Sequence, residues 1–133
     1  MRRPILVVRN VLIDKQDRLL LGLRADVNLW ELPGGKVDDE YVLDAALREQ
    51  KEETGMTLQG IPRLVGYADG PGMRDPKKKF TDLLLMWPAW DGEPQLTEPD
   101  KQRAWLPLTP SAKIFAESIL PTLCPVCTTE ETC

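Results

Sequence analysis

"GGKVDDEYVLDAALREQKEETGM", Gly34 to Met56, is the stretch on which the reading of this chain depends. Its apolar spacing predicts an amphipathic helix that begins near Asp38 or Asp39, both suitable N-caps, and stops at Gly55, a residue suited to the position just past a helix end. At about 100° per residue, Leu43, Leu47, Gln50 and Thr54 share one stripe, expected to face the core. Glu49, Glu52 and Glu53 occupy a separate arc centred on Glu49, with Ala45 and Ala46 between the two sectors and Asp44 and Lys51 on the solvated side. Arg48, four residues before Glu52, offsets part of the repulsion within the arc. A Glu49/Glu53 pair left exposed would still cost about 0.2–0.5 kcal/mol, and the helix dipole disfavours acids near its C-terminal end. Acidic helices are common, so the helix alone leaves an ordinary solvated face as the plainer explanation. The alternative is a divalent cation, because Mg2+ needs close oxygen ligands and would turn the repulsion into a site. Gly34 and Gly35, free of Cβ atoms, would let backbone and ligand approach the same place.

Composition narrows the chemistry around that segment. The chain has 133 residues, one domain's length, and its 42% apolar content can bury a core without disulfides or structural metal. A net charge of −4 and a pI near 4.9 argue against a nucleic-acid polymer as partner, since counterion release needs clustered Lys and Arg. The one basic run, Lys77 to Lys79, is expected to be a solvated loop or hairpin edge, with phosphate contact as the alternative. Histidine is absent, so no imidazole base is available, and a metal would be held by carboxylates, carbonyls or the three thiols. Oxygen ligands suit Mg2+ or Mn2+. Four consecutive apolar residues before Arg9 are too few for a signal-peptide core, and no later run approaches a membrane span, so a cytoplasmic location without membrane association is the expectation.

Along the chain, "PILVVRNVLI" (Pro4 to Ile13) and "RLLLGLR" (Arg18 to Arg24) flank the polar turn "DKQD" and read as a hairpin. "LPGGKV" reads as a loop. "LQGIPRLVGYA" and "FTDLLLMWPAW" suggest two strands separated by "DGPGMRDPKKK", and "RAWLPL" suggests a short one. "TPSAKIFAESIL" opens with Thr109 and Pro110, an N-cap followed by proline at the first helical position. The order of elements fits an α/β fold, a mixed sheet with helices packed on it. A single domain over residues 1–121 is expected, followed by a flexible tail, 122–133. That tail holds Cys124 and Cys127 in a C-x-x-C pair, and Cys133; with neither His nor a second pair to complete a zinc site, they read as reduced thiols, with metal shared between subunits or redox activity as alternatives.

Wider spacing resolves the opening ambiguity. From Gly34 the residues run five to Glu40, seven to Arg48-Glu49, two to Glu52-Glu53, and one to Gly55-Met56. This resembles the Nudix hydrolase signature G-x5-E-x7-R-E-U-x-E-E-x-G-U, with U a bulky apolar residue, and every fixed glycine, glutamate and arginine position is filled. Two departures stand out. Gln50 occupies an apolar position, which is expected to weaken packing under the helix, and the count starts at the first glycine of the pair rather than the second. The resemblance implies an α/β/α sandwich with a mixed sheet. It implies that Glu49, Glu52 and Glu53 hold Mg2+ or Mn2+, with the Gly34 carbonyl as a further ligand. Glu40, Arg48 and Gly55 are then structural parts of the box. With no histidine, a metal-linked glutamate, Glu52 or Glu53, is the candidate base.

The family's substrates are nucleoside diphosphates joined to a further group. "LLLGLR" before "LWELPGGKV", and later "WDGEP" at Trp90 to Pro94, are similar to the MutT branch, which hydrolyses nucleoside triphosphates to monophosphate and pyrophosphate. On that resemblance Arg24, Gly35 and Lys36 are candidate substrate contacts, and Trp30, Phe80 and Met86 could line a base pocket, although such residues are more often core. Glu98 is a candidate additional carboxylate or an exposed turn residue. Nucleoside diphosphate sugars are the alternative substrates, a non-catalytic nucleotide sensor is the alternative of another class, and a homodimer is an expectation from the family.

Overall fold

Leucine-rich and β-branched runs form strands in a computed structural model that describes residues 3–16, 18–24, 30–72, 75–97 and 102–108. The elements are β1 (Ile5–Val11), β2 (Leu19–Arg24), β3 (Trp30–Glu31), β4 (Gly34–Lys36), α1 (Val42–Thr54), β5 (Thr57–Gln59), β6 (Arg63–Pro71), β7 (Lys79–Met86), β8 (Ala89–Asp91) and β9 (Gln102–Leu108). They make a four-stranded sheet in the order β4-β1-β7-β6, a three-stranded sheet β3-β2-β9 and a β5-β8 ribbon. β1 and β7 are parallel while β4, β6 and their neighbours are antiparallel, so the larger sheet is mixed, as expected for the α/β class. Residues 109–133, and with them the expected second helix and the three cysteines, lie outside the described residues, as does Glu98. No helix among the described residues is long and apolar enough to cross a membrane.

The expected hairpin of β1 and β2 exists only at its tip. Asp14 accepts the backbone N–H groups of Gln16 and Arg18 and pairs with Arg18 Nε at 2.8 Å, closing the turn. Beyond it the strands part, because β1 has β4 and β7 on its two edges and β2 has β3 and β9. "LPGGKV" is also not simply a loop: Gly34–Lys36 is β4, paired with β1 at Arg9↔Gly34 and Val8↔Gly35. Glycine permits that pairing. Gly34 has φ +148°, and a Cβ there would fall 2.0 Å from the Val8 carbonyl oxygen. The two later strand runs each divide, at Gly60–Pro62 and at Pro88, where proline cannot donate to a ladder. Lys77 and Lys78 are exposed in the β6–β7 turn and Lys79 is exposed at the start of β7, the hairpin-edge setting expected of them.

The helix differs from expectation at its start and in its buried face. It begins after Tyr41, which makes no side-chain cap, rather than at Asp38 or Asp39. The Asp38 N–H donates to Glu40 Oε1, and both acids turn toward Arg48 instead of capping. Gly55 closes the other end as expected, its N–H donating to the Lys51 carbonyl. Ala45, Ala46, Gln50 and Thr54 are buried, whereas Leu43 is 48% and Leu47 37% exposed. Small alanines let the helix backbone come down on the sheet closely enough for Asn10 Nδ2 to donate to the Ala46 carbonyl at 3.1 Å. That close approach, rather than leucine burial, sets the rotation of α1 over a core of Val8, Leu12, Leu20, Met56, Leu58, Leu85 and Trp87.

Gln50 does not weaken this core. Its Oε1 accepts from Asn10 Nδ2 at 3.1 Å, and its Nε2 donates to Thr54 Oγ1 at 3.1 Å. Asn10 Oδ1 in turn accepts from Trp87 Nε1 at 2.9 Å. A buried polar side chain costs little when each of its groups is paired in this way.

Candidate active site

One face of α1 and the β4 segment share an arginine. Arg48 donates through Nε to Glu40 Oε1 at 3.1 Å and through Nη2 to the same oxygen at 2.6 Å. Its Nη1 reaches Glu49 Oε1 at 2.9 Å and Glu52 Oε2 at 3.2 Å, and its Nη2 reaches the Lys36 carbonyl at 3.2 Å. The rigid guanidinium fork therefore ties the β4 end, the Asp38–Glu40 turn and the helix together. Its hydrogen bonds hold the Glu40 carboxyl below the usual range, and Glu40 in turn raises Arg48.

Glu53 occupies a different environment. It is 7% exposed, and its Oε1 accepts the Gly34 N–H at 2.9 Å. Burial pushes its carboxyl up to about 8; the Gly34 hydrogen bond and Arg9 oppose the shift, while the negative charges of Glu31 and Glu49 add to it. Glu49 lies against Gly35, where a Cβ would sit 2.6 Å from its carboxylate. Glu52 is the most exposed of the three acids, at 52% of its side chain.

Arg9, Glu31 and Asp82 were not singled out by the sequence and lie beside this group. Strand alternation sends Val8 and Asn10 toward α1 and Arg9 to the opposite face of the sheet, where Asp82 of β7 also points. Arg9 lies 3.6 Å from Glu31 and 3.8 Å from Asp82. Burial pushes the Asp82 carboxyl up, Arg9 opposes the shift and Glu31 reinforces it. A charge inside each of two apolar runs, "ILVVRNV" and "FTDLLLM", is the signal that could have found Arg9 and Asp82; Glu31 lies in neither run.

The residues suit a hard divalent cation in chemistry more than in present arrangement. Among the described residues no three acidic, cysteine or histidine side chains are gathered closely enough to hold a metal ion. Glu49 and Glu52 are drawn onto Arg48 and Glu53 onto Gly34. The donor set is nonetheless all oxygen, Gly35 lets the Glu49 carboxylate lie directly against the β4 backbone, and burial disfavours the charged form of Glu53, which a cation would favour. By donor chemistry Glu49, Glu52 and Glu53 would suit such an ion, although their side chains are not gathered around one point.

Other candidates are dispersed. Lys36 is exposed and Gly35 half-buried, both on β4 next to the Arg48 and Glu49 side chains. The side chains of Arg24 and Trp30 lie outside the description. Phe80 packs against Gly72, and Met86 Sδ accepts from Arg63 Nη2 at 3.7 Å, so neither is shown at the acids. A separate cavity of about 370 Å³ over Leu12, Leu20, Met56 and Trp90 is lined by none of the box glutamates.

The NUDIX domain family model matches residues 3–120. A candidate 8-oxo-dGTP diphosphatase of Bacillus subtilis (strain 168) is 37% identical over 71 residues, 53% of this chain and 47% of that protein. A CMP-5'-(N-acetyl-N-hydroxy-3-aminopropyl)phosphonate hydrolase of Streptomyces rubellomurinus is 33% identical over 115 residues, 79% of this chain and 52% of that protein. The chain thus spans about half the length of these curated relatives. Among solved structures, the MutT NUDIX hydrolase of Burkholderia pseudomallei superposes with a TM-score of 0.73 at 26% identity, covering 89% of this chain and 88% of that one.

Proposed function

The chain belongs to the NUDIX family as a MutT-like member, and on that premise we propose that it is a Mg2+-dependent pyrophosphohydrolase cleaving nucleoside triphosphates, or a damaged nucleotide, to monophosphate and pyrophosphate. The observation that carries this reading is Glu53, a box carboxyl that is buried against β4, accepts the Gly34 N–H and is pushed up to about 8 by that burial. Glu49, Glu52 and Glu53 would hold the ion. Bound there, it supplies charge neutralisation between an acidic protein and an anionic substrate, and Lewis-acid assistance at phosphorus.

The chain's own residues do the rest. Arg48 fixes the helix against the β4 end, and Gly34 orients Glu53 through its N–H. Water attacks one phosphorus, the anhydride P–O bond breaks with its electron pair on the departing phosphate oxygen, and the water proton passes to a carboxylate. Glu52 is favoured as that acceptor because its exposed side chain can release the proton to solvent, whereas Glu53 is enclosed. Arg24, Gly35 and Lys36 are assigned to the phosphates.

The relatives support this substrate class unevenly: one is named for an oxidised purine triphosphate and the other for a cytidylyl phosphonate. Nucleoside diphosphates joined to other groups therefore remain the second reading. Release of pyrophosphate and phosphate from standard and oxidised nucleoside triphosphates, dinucleotides and nucleotide sugars, with and without Mg2+, tests both. Metal-dependent pyrophosphate from triphosphates supports the first reading; turnover of nucleotide sugars alone replaces it with the second. Ligand binding without any product would make the chain a sensor.

A further inference from the structure

Between Glu31, which ends β3 in the three-stranded sheet, and Gly34, which begins β4 in the four-stranded sheet, the chain crosses from one sheet to the other. Leu32 and Pro33 make the crossing and are buried, so their carbonyls need donors. Both donors come from consecutive residues of β1. Arg9 Nη1 donates to the Leu32 carbonyl at 3.1 Å, and the Asn10 N–H donates to the Pro33 carbonyl at 2.8 Å. The next residue, Gly34, is the register partner of Arg9 and gives its N–H to Glu53.

The guanidinium that holds Leu32 is itself braced. Glu31 flanks it from β3 and Asp82 from β7, with the three side chains only 22%, 18% and 10% exposed in the order Arg9, Glu31, Asp82. At 3.6 and 3.8 Å these are ion pairs longer than hydrogen bonds, so the close contact of the fork among the described residues is the Leu32 carbonyl. Arg9 thereby joins two strands of one sheet to the end of the other, at the step that determines where the Gly34 N–H points.

We propose that Arg9 is a positioning residue: it holds the Leu32–Gly34 crossing so that the Gly34 N–H meets Glu53 and fixes the direction of that carboxylate. Arg9 touches neither the box acids nor the phosphates in this role; it acts through the crossing. Its catalytic consequence rests on the proposed hydrolase activity, while its structural consequence does not. A lysine at this position could offer one donor to Leu32 but not the planar fork between Glu31 and Asp82, so Arg9→Lys should retain only part of the effect.

The test compares Arg9→Met, Arg9→Lys and the unaltered full chain, metal-free, by amide hydrogen exchange at Gly34 and at Ala46 of α1. Arg9→Met is expected to speed exchange at Gly34 by at least about tenfold while Ala46 changes by less than about twofold, with Arg9→Lys between. In turnover, kcat should fall by at least about tenfold with KM within about twofold, since substrate contacts are untouched. Unchanged protection at Gly34, or equal acceleration at both amides, overturns the proposal. If Arg9→Met does not fold, Arg9→Lys decides it on the same two amides. Absence of nucleotide turnover by the unaltered chain would defeat the hydrolase reading and leave the exchange result standing.

Discussion

Two buried polar groups flank α1, and they are built in opposite ways. On the core side, Asn10, Gln50, Thr54 and Trp87 are neutral, and their side-chain donors and acceptors meet one another or the Ala46 carbonyl. On the other side, Glu53 has one backbone N–H, with Glu31 and Glu49 raising its carboxyl further. The first group is electrostatically closed and holds the helix in one position. The second is ionisable, and burial disfavours its charged form, the setting in which a bound cation would do most to favour the carboxylate.

Substitutions on either side can break this contrast. The largest effect is expected for Glu53→Gln, which should lower turnover by at least about 10²-fold while leaving thermal unfolding of the metal-free chain unharmed or slightly improved. Near-normal steady-state rates would remove Glu53 from the mechanism. Asn10→Leu should do the reverse. It strips partners from Trp87, Gln50 and the Ala46 carbonyl, at a cost of roughly 2–4 kcal/mol in denaturant unfolding, with the rate per folded molecule retained.

pH sharpens the contrast further. The folded Glu53 carboxyl, near 8, lies above its ordinary value of 4.5. Its contribution to stability is thus fully present below about pH 4.5 and is lost as pH rises through 8. Unfolding of the metal-free chain between these limits should show a loss of up to about 1.4 kcal/mol per pH unit that is missing in Glu53→Gln. Mg2+ should raise Tm more at pH 8 than at pH 5, because at low pH it must displace a proton. The smallest effect is expected for Leu47→Lys on the half-exposed flank of α1, within about 0.5 kcal/mol of the unaltered chain by the same unfolding assay.

How far these features were legible depended on the range of the interactions behind them. Helix, Gly55 terminus and carboxylate arc were readable because they are local spacings. The helix start differs from expectation, since Asp38 and Asp39 look like capping residues, whereas Arg48 on the helix itself takes Asp38 and the helix begins after Tyr41 without a side-chain cap. Leu43 and Leu47 outranked alanine by hydrophobicity, but closeness of approach to β1 decided which face was buried. β4 was hidden because a Gly-Gly pair reads as punctuation, and its pairing depends on how near the β1 backbone comes. Arg9 and Asp82 showed only as charges in apolar strands; their meeting across β1 and β7 is set by a parallel register that no local pattern reveals.

The most direct test of the account is calorimetric titration of Mg2+ into the metal-free chain at neutral pH, in two buffers of different ionisation enthalpy, beside Glu53→Gln and Asn10→Leu. The unaltered chain is expected to bind Mg2+ with proton release, a response retained in Asn10→Leu and lost or greatly weakened in Glu53→Gln. Equal binding by the unaltered chain and Glu53→Gln, without proton release, would contradict it.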